Sequence, residues 1–380
     1  MRIVLDHKLI VFTLAFFTLS SFSFSKNIYV SILSSEDLNS CTITVVRGSY
    51  TLRQENKFYV LPKGSKVLIQ EGQYVSIGDS IRFKIKYLDI LGDDYVNHFE
   101  VSFRGKSIRY DDHLHVECKG HEIKLINEVD LDRYVAGVVE GEAGYNLPLE
   151  YYKLQAILCR TYALKNITRH AKEGFQLCDK VHCQVYHSKC KKNDIIKATA
   201  ATSGLVVVDH DLELINTTFH SNCGGQTCNS EDVWLTPVSY LRSVKDSFCH
   251  FSPHSSWEKK FNKREFISVF SQNKPLDSLD FQSLISFCQD TARFSNKNLH
   301  STQLTKVRSV LNLKSTYFSV EQQGSNLMLF GRGFGHGVGL CQEGGIEMAK
   351  KHYSYVDILK YYYTKVFIVN QRALLFFKEE

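Results

Sequence analysis

Apolar and polar positions alternate with a period of two from residue 26 to about residue 126. The runs IYVSIL, CTITVV, KFYVL, KVLIQ, IRFKIKYL, HFEVSF and LHVECK are short and rich in β-branched and aromatic residues. Turn signals such as Pro62-Lys63-Gly64 and Gly92-Asp93-Asp94 separate them, so the pattern predicts a β-rich module. None of these runs carries the residues of a reactive site, and support or ligand recruitment is the role expected of them.

The period then lengthens. Asp130 is a suitable N-cap for a helix over residues 131–140. A short break bearing carboxylates follows, Glu140-Gly141-Glu142-Ala143-Gly144. Asn146 and Pro148 open a second helix, since proline fits a first turn. Leu149, Tyr152, Leu154, Ile157, Leu158 and Leu164 make that helix apolar nearly all round, the mark of a buried element. Lys153, Gln155 and Arg160 on it must therefore find partners, either within the fold or in a site they line.

Residues 166–192 read as loop and are dense in histidine and cysteine. A helical turn from Ile195 leads into GLVVVD and ELINTTFHS, read as strands, and then a tight turn at Cys223-Gly224-Gly225. Residues 246–325 form a mixed segment in which Asn262 and Glu265 start a helix through Phe270, and KSTYFSVEQ and LMLFG alternate as strands. Ser354 and Asp357 cap a helix over residues 355–363. There is no internal repeat.

Composition narrows the class. Of 380 residues 43% are hydrophobic and only 5 are proline, which excludes a disordered chain. The net charge of +6, from 46 basic and 40 acidic residues, suits an anionic surface but is too small and dispersed to argue for nucleic acid. Arg2 and Lys8 precede an apolar run over residues 9–19 and the small-x-small sequence Ser23-Phe24-Ser25. That is the layout of a signal peptide cut after Ser25, and the run is short for a membrane span, although an uncleaved anchor is the alternative. The expectation is an exported protein. Eleven cysteines should then pair in part, with the odd total leaving a thiol or ligand over.

Three stretches could carry chemistry. A glutamate at the helix break is rigidly held beside apolar surface that can raise its pKa, as a general acid requires, although this stretch alone favours glutamates that simply decorate a polar loop. Gly331-Arg332-Gly333-Phe334-Gly335-His336-Gly337-Val338-Gly339 has glycine at every second position, unlike a dinucleotide fingerprint. An extended backbone there offers a bare face to a flat ligand such as a sugar, and a tight β-packing crossing is the other reading. Finally Cys178, His182 and Cys183, with His170 upstream and Cys190 downstream, offer soft ligands for tetrahedral zinc. A Cys178–Cys183 or Cys183–Cys190 disulfide and a Cys/His nucleophile compete with that reading.

Together these stretches resemble the stage II sporulation protein D (SpoIID/LytB) family. The resemblance rests on LDRYVAGVVEGEAGYNLPLEYYKLQAILCRTYALKN, CDKVHCQVY, FHSNCGGQT and GRGFGHGVGLCQEGGIEMAKKHYSYVDILKYYY, four ordered motifs spanning roughly residues 126–363. It implies a lytic transglycosylase that cleaves the N-acetylmuramic acid to N-acetylglucosamine bond of peptidoglycan, favouring peptide-stripped glycan and leaving a 1,6-anhydro end. It implies Glu142 as the catalytic acid, with Glu140 a neighbour. Substrate-binding positions would be Gln155, Arg160 and Tyr162 after that glutamate, and Ser221, Gly224, Gly225, Arg332, His336 and Gln342 in the glycine motifs. A structural zinc would fall on His170, Cys178, His182 and Cys183, with no other cofactor. Cell-wall remodelling or division is the implied setting, on the periplasmic or cell-wall side of the membrane, with an N-acetylmuramoyl-L-alanine amidase as a partner. A non-catalytic, glycan-binding modifier of such an amidase is the alternative. Ala143, Glu140 and Cys341 depart from the family's usual methionine, proline and serine, and none of them removes the acid.

The expected fold is α+β: a β-rich N-terminal module, then a mixed α/β catalytic core with a glycine-rich groove. The expected divisions are a signal peptide at 1–25, the module at 26–126 and the core at 127–245. A segment at 246–325 would pack on that core, and 326–380 would complete it.

Overall fold

Alternating burial organises the N-terminal half of the computed structural model, which describes residues 27–78, 81–270, 277–289, 293, 298–299 and 302–378. The segment read as a signal peptide lies outside the described residues. In Lys66–Gln70, Val67 and Ile69 point inward while their neighbours face out, and Ser40–Arg47 and His98–Phe103 repeat the pattern. Such strands assemble into a six-stranded sheet, ordered Lys106–Asp111, His98–Phe103, Ser40–Arg47, Lys66–Gln70, Tyr74–Ile77 and Ile81–Lys84. A seven-stranded sheet is ordered Leu177–Cys178, Asn27–Ile32, Glu122–Asp130, His113–Lys119, Tyr87–Gly92, Tyr50–Gln54 and Lys57–Leu61. The run IRFKIKYL, which alternation reads as one strand, divides at Ile85 and feeds both sheets. Ile85 is buried, and its N–H donates to Gln73 O at 2.8 Å.

Helix α1 (Leu131–Ala143) continues directly from Glu122–Asp130. Its N-cap is Asp130, whose carboxylate accepts from the N–H groups of Asp132 and Arg133 at 2.9 and 3.0 Å. The expected break at residues 140–144 is shorter than the sequence suggests. α1 runs through Gly141 and Glu142 and stops at Gly144, which adopts φ +80. Gly141 is tolerated mid-helix because it faces Val185, where a Cβ would lie 2.7 Å from the carbonyl oxygen.

Helix α2 (Leu149–Lys165) is the pivot of the fold. Tyr152, Ala156, Cys159 and Ala163 join the core formed with the two sheets and α1. Tyr151, Leu154, Ile157 and Leu158 join a second core built from the C-terminal part of the chain. This double burial is why α2 lacks a polar face. A third core, including Trp257, Phe266, Leu304, Phe318 and Leu329, lies around the three-stranded sheet of Ser256–Asn262, Asn326–Arg332 and Phe318–Gln323. The chain is an α+β protein with a β-rich N-terminal region.

Two other expectations change. ELINTTFHS is a strand only at Phe219–His220, which pairs in parallel with Leu340–Cys341, while Leu214 makes a single bridge to Val208. The glycine run does not form a bare face. Gly333, Gly335, Gly337 and Gly339 all have positive φ, and protein occupies the space beside each: a Cβ on Gly339 would sit 2.2 Å from Thr218 O, and one on Gly333 2.6 Å from Asn222 O. The tight crossing is the reading that holds.

Candidate active site

Glu142 sits on the last turn of α1, beside Ala143, which packs against both of the larger cores. Its Oε1 accepts a hydrogen bond from the Val185 N–H at 3.0 Å. Among the described residues Oε2 has no such partner. Burial raises the carboxyl above the ordinary glutamate range, against the opposing pull of the Val185 N–H and the nearby His187. The result is a half-buried acid fixed at one oxygen and open at the other. Glu140 does different work: its Oε2 accepts from the Lys191 N–H at 2.7 Å and anchors the loop before residue 193.

Of the other sequence-derived site residues, the structure brings Gln342 to this acid. Gln342 opens the helix Gln342–Lys350, and its Nε2 donates to the Glu142 backbone carbonyl at 3.4 Å. The Tyr151 hydroxyl lies within hydrogen-bonding reach of Gln342 and accepts from Gln155 Nε2 at 2.8 Å. Gln155 is fully enclosed, so its link to the acid runs through Tyr151 and Gln342.

Arg160 requires a correction. It is completely buried, with Nε and Nη2 on Asp132 Oδ1 at 2.9 and 2.6 Å and further donors on the carbonyls of Leu205 and Thr199. It ties α2 to α1 and offers nothing to a ligand. Tyr162 is engaged with the His/Cys loop, donating to His182 O at 2.9 Å and accepting from Arg169. His336 is half-buried, and both ring nitrogens are engaged within the fold: Nδ1 accepts from the Val338 N–H at 3.1 Å and Nε2 donates to Phe219 O at 2.9 Å. Burial pushes its pKa down to about 4, so it is neutral and holds the glycine crossing together. Ser221 and Gly224 lie in that same crossing: Ser221 O accepts from the Glu343 N–H at 3.0 Å and Gly224 N donates to Asn222 Oδ1 at 2.7 Å. Gly225 has φ +101 and lies against His250. Arg332 is exposed, with its guanidinium 5.2 Å from the centre of the Tyr317 ring.

The His/Cys loop gathers into one cluster. His170, Cys178, His182 and Cys183 place their donor atoms within 4.8 Å of one another. Cys178 Sγ to His182 Nε2, Cys183 Sγ to His170 Nε2, and the two histidine Nε2 atoms are each 3.4 Å apart. Zinc bonded tetrahedrally to nitrogen and sulfur sets N···N edges of about 3.3 Å and N···S edges of about 3.6 Å. The four donors fit such an ion. His170 Nδ1 meets Glu173 Oε1 at 2.6 Å, the outer carboxylate that commonly orients a metal-binding imidazole. All eleven cysteines are free, so the expected partial pairing is not observed. Cys190 points elsewhere, its thiol toward Lys192 O at 3.6 Å.

Val185, Asp132 and Glu173 escaped the sequence reading. Val185 acts through its backbone, and Asp132 meets Arg160 across 28 positions, so neither leaves a local signal. Glu173, three residues after His170, does leave one.

Comparisons with known proteins place the chain in a family. A family model described as stage II sporulation protein matches residues 119–208, the stretch holding Glu142, α2 and the His/Cys cluster. The chain is 31% identical to the stage II sporulation protein D of Bacillus subtilis (strain 168) over 274 residues, covering 66% of this chain and 77% of that protein. It is 25% identical to an uncharacterized protein of Brachyspira hyodysenteriae over 339 residues, 86% of this chain and 92% of the other. It is also 25% identical over 284 residues to the amidase enhancer of Bacillus subtilis (strain 168), covering 60% of this chain but 39% of that protein. With its sequence shared across most of a sporulation protein D and its acid held at the end of α1, the chain belongs to the stage II sporulation protein D family.

Proposed function

We propose that this protein is a peptidoglycan lytic transglycosylase in which Glu142 acts first as acid and then as base. The observation that carries the reading is the raised carboxyl of Glu142, clamped at Oε1 and, among the described residues, without a hydrogen-bond partner at Oε2. Hydrolytic glycosidases need a second carboxylate to supply base or nucleophile. Glu140, committed to the Lys191 N–H, is no such partner. A lytic transglycosylase manages with one, because the C6 hydroxyl of the N-acetylmuramic acid attacks its own C1, and an intramolecular attack gains a large effective concentration. Glu142 gives its proton to the departing glycosidic oxygen. The resulting carboxylate takes the proton of the C6 hydroxyl as the new C6–O–C1 bond closes, leaving a 1,6-anhydro end and a regenerated acid.

A cell-wall role of this kind also fits the relatives, one of which is named an amidase enhancer. Substrate already stripped of stem peptides by an amidase would suit the reading. It sets the protein outside the cytoplasmic membrane, where peptidoglycan lies, and the basic start and apolar run at residues 2–19 support export. Among the described residues no helix is long and apolar enough to cross a membrane. The His/Cys cluster is proposed as a closed, structural zinc site. Zinc there would do no chemistry on the glycan. It would fasten His182 and Cys183, three and two positions before the Val185 N–H that holds Glu142.

Incubating the pure protein with amidase-treated sacculi and analysing the products by mass spectrometry tests the reading. Anhydro-muramic ends should form with wild-type protein and be lost with Glu142→Gln. Equal release by Glu142→Gln would overturn the assignment. Glycan binding without anhydro products would favour the second reading, a non-catalytic modifier of an amidase, which rests on the amidase enhancer relative.

A further inference from the structure

A second constellation of metal-binding groups lies in the C-terminal core. Cys223, Asp246, Cys249 and Cys341 come from three separate stretches of chain, yet their donor atoms all lie within 4.8 Å of one another. All four residues are essentially sealed from solvent, at 0, 1, 0 and 0% exposure. Cys223 Sγ is 3.4 Å from Cys249 Sγ and 3.3 Å from Asp246 Oδ2.

Three features separate this cluster from ordinary core packing. First, a sealed carboxylate needs a compensating charge. Among the described residues the groups donating to Asp246 are the Tyr362 hydroxyl at 2.8 Å, the Phe248 N–H at 2.8 Å and the Cys223 thiol, all uncharged. Second, the Cys341 sulfur accepts from two backbone N–H groups, those of Cys223 at 3.3 Å and Gly344 at 3.4 Å, at the start of the helix Gln342–Lys350. Donors aimed at sulfur in that way suit a thiolate. Third, the carboxylate has a space kept for it: a Cβ on Gly344 would lie 2.4 Å from Asp246 Oδ2 and 2.2 Å from the Tyr362 hydroxyl.

We propose that Cys223, Asp246, Cys249 and Cys341 form a second structural metal site, for zinc or another borderline-soft divalent cation. Three thiolates and a carboxylate make a tetrahedral donor set whose S···S edges would be about 3.8 Å, close to the 3.4 Å between Cys223 and Cys249. The cation supplies the charge that Asp246 lacks. A Cys223–Cys249 disulfide would account for two of the sulfurs and leave Cys341 and Asp246 without a reason to converge. The site would join the turn at residues 221–225, the loop at 246–249 and the first turn of the helix whose Gln342 reaches Glu142. It would set the position of that helix without touching glycan.

The test is a difference in bound metal. Wild-type protein and Cys249→Ser are purified without chelator, and metal per chain is counted by mass spectrometry of the elements. The wild type should carry one more equivalent than Cys249→Ser, while Cys183→Ser should keep the ion that Cys249→Ser loses. Because Cys249→Ser could fail to fold, the wild type is also denatured under non-reducing conditions with an alkylating reagent. Cys223, Cys249 and Cys341 should all be recovered alkylated. A Cys223–Cys249 disulfide in the peptide map, or equal metal in wild type and a folded Cys249→Ser, would overturn the proposal.

Discussion

The Val185 N–H donates to Glu142 Oε1 at 3.0 Å, so a loop 43 residues downstream fixes the rotamer of the acid. The contact has two effects. It occupies Oε1 and leaves Oε2 without a hydrogen-bond partner among the described residues, and it lowers the carboxyl pKa while burial raises it more strongly. The acid is therefore tuned by a balance of burial against a single backbone donor and one nearby histidine.

That balance gives a pH profile. A general acid must enter the reaction protonated, and a raised pKa keeps the proton on Glu142 to higher pH than on a free glutamate. Activity on amidase-treated glycan should hold on the acidic side and fall as pH rises through the raised value, along a limb assigned to one group. His187 lowers the carboxyl pKa by its charge, so His187→Ala should move that limb to higher pH. A limb unmoved in kcat/KM profiles would remove His187 from the balance. The same raised pKa means the folded state loses stability as pH climbs from the unfolded to the folded value. Glu142→Gln, free of that cost, should melt no lower than wild type at neutral pH.

Arg160 lies inside the fold rather than in the site, and its replacement should be felt there. Arg160→Met leaves Asp132 without its charged partner and removes the guanidinium donors to the carbonyls of Ala156, Leu205 and Thr199. The loss should be on the order of 3 kcal/mol in urea unfolding, at the low end for a broken buried pair because Asp132 is partly solvated. Whatever folds should bind glycan with an unchanged KM. A stable Arg160→Met with a raised KM would restore Arg160 as a substrate contact.

Much of this was legible in the sequence. Asp130, Pro148 and Ser354 marked helix starts because a cap or a proline acts within one turn. The all-apolar α2 signalled burial. The cluster of His170, Cys178, His182 and Cys183 was visible as composition, because a short loop must bring such residues close. Glycine period left two readings open, a bare extended face and a tight crossing. Every second residue suggests a strand, yet positive φ at Gly333, Gly335, Gly337 and Gly339 folds the run into a crossing, and a one-letter pattern carries no sign of φ. The partners of Arg160 and Glu142 come from distant segments, and no local rule reaches them.

The crossing makes a paired prediction. Gly339 and Gly324 have similar backbones, with φ +73 and +62, so alanine strains both. Around Gly324 nothing lies within 4 Å of a Cβ, whereas at Gly339 the carbonyl oxygen of Thr218 is 2.2 Å away. Gly324→Ala should cost about 1 kcal/mol in denaturant unfolding. Gly339→Ala should lose more than about 4 kcal/mol or fail to accumulate as soluble protein. Equal, small losses at the two positions would mean that the crossing is loose enough to admit a ligand.

The His/Cys cluster can be probed without removing a ligand. Glu173 is exposed and its carboxylate meets His170 Nδ1, leaving Nε2 to face the two cysteines and His182. An outer carboxylate of this kind fixes the tautomer of a zinc-binding imidazole and strengthens it as a ligand. Glu173→Gln should therefore weaken zinc affinity by about 10-fold or more, measured by competition with a chromophoric chelator, while the metal-loaded fold stays intact. Stripping zinc from the wild type should lower its Tm, because ligands that meet only in the folded chain make metal binding part of folding. It should also slow glycan cleavage, since His182 and Cys183 carry the loop that ends at Val185. Unchanged zinc affinity in Glu173→Gln would reduce the His170–Glu173 contact to a surface ion pair, and an unchanged Tm after stripping would leave the loop held by packing alone.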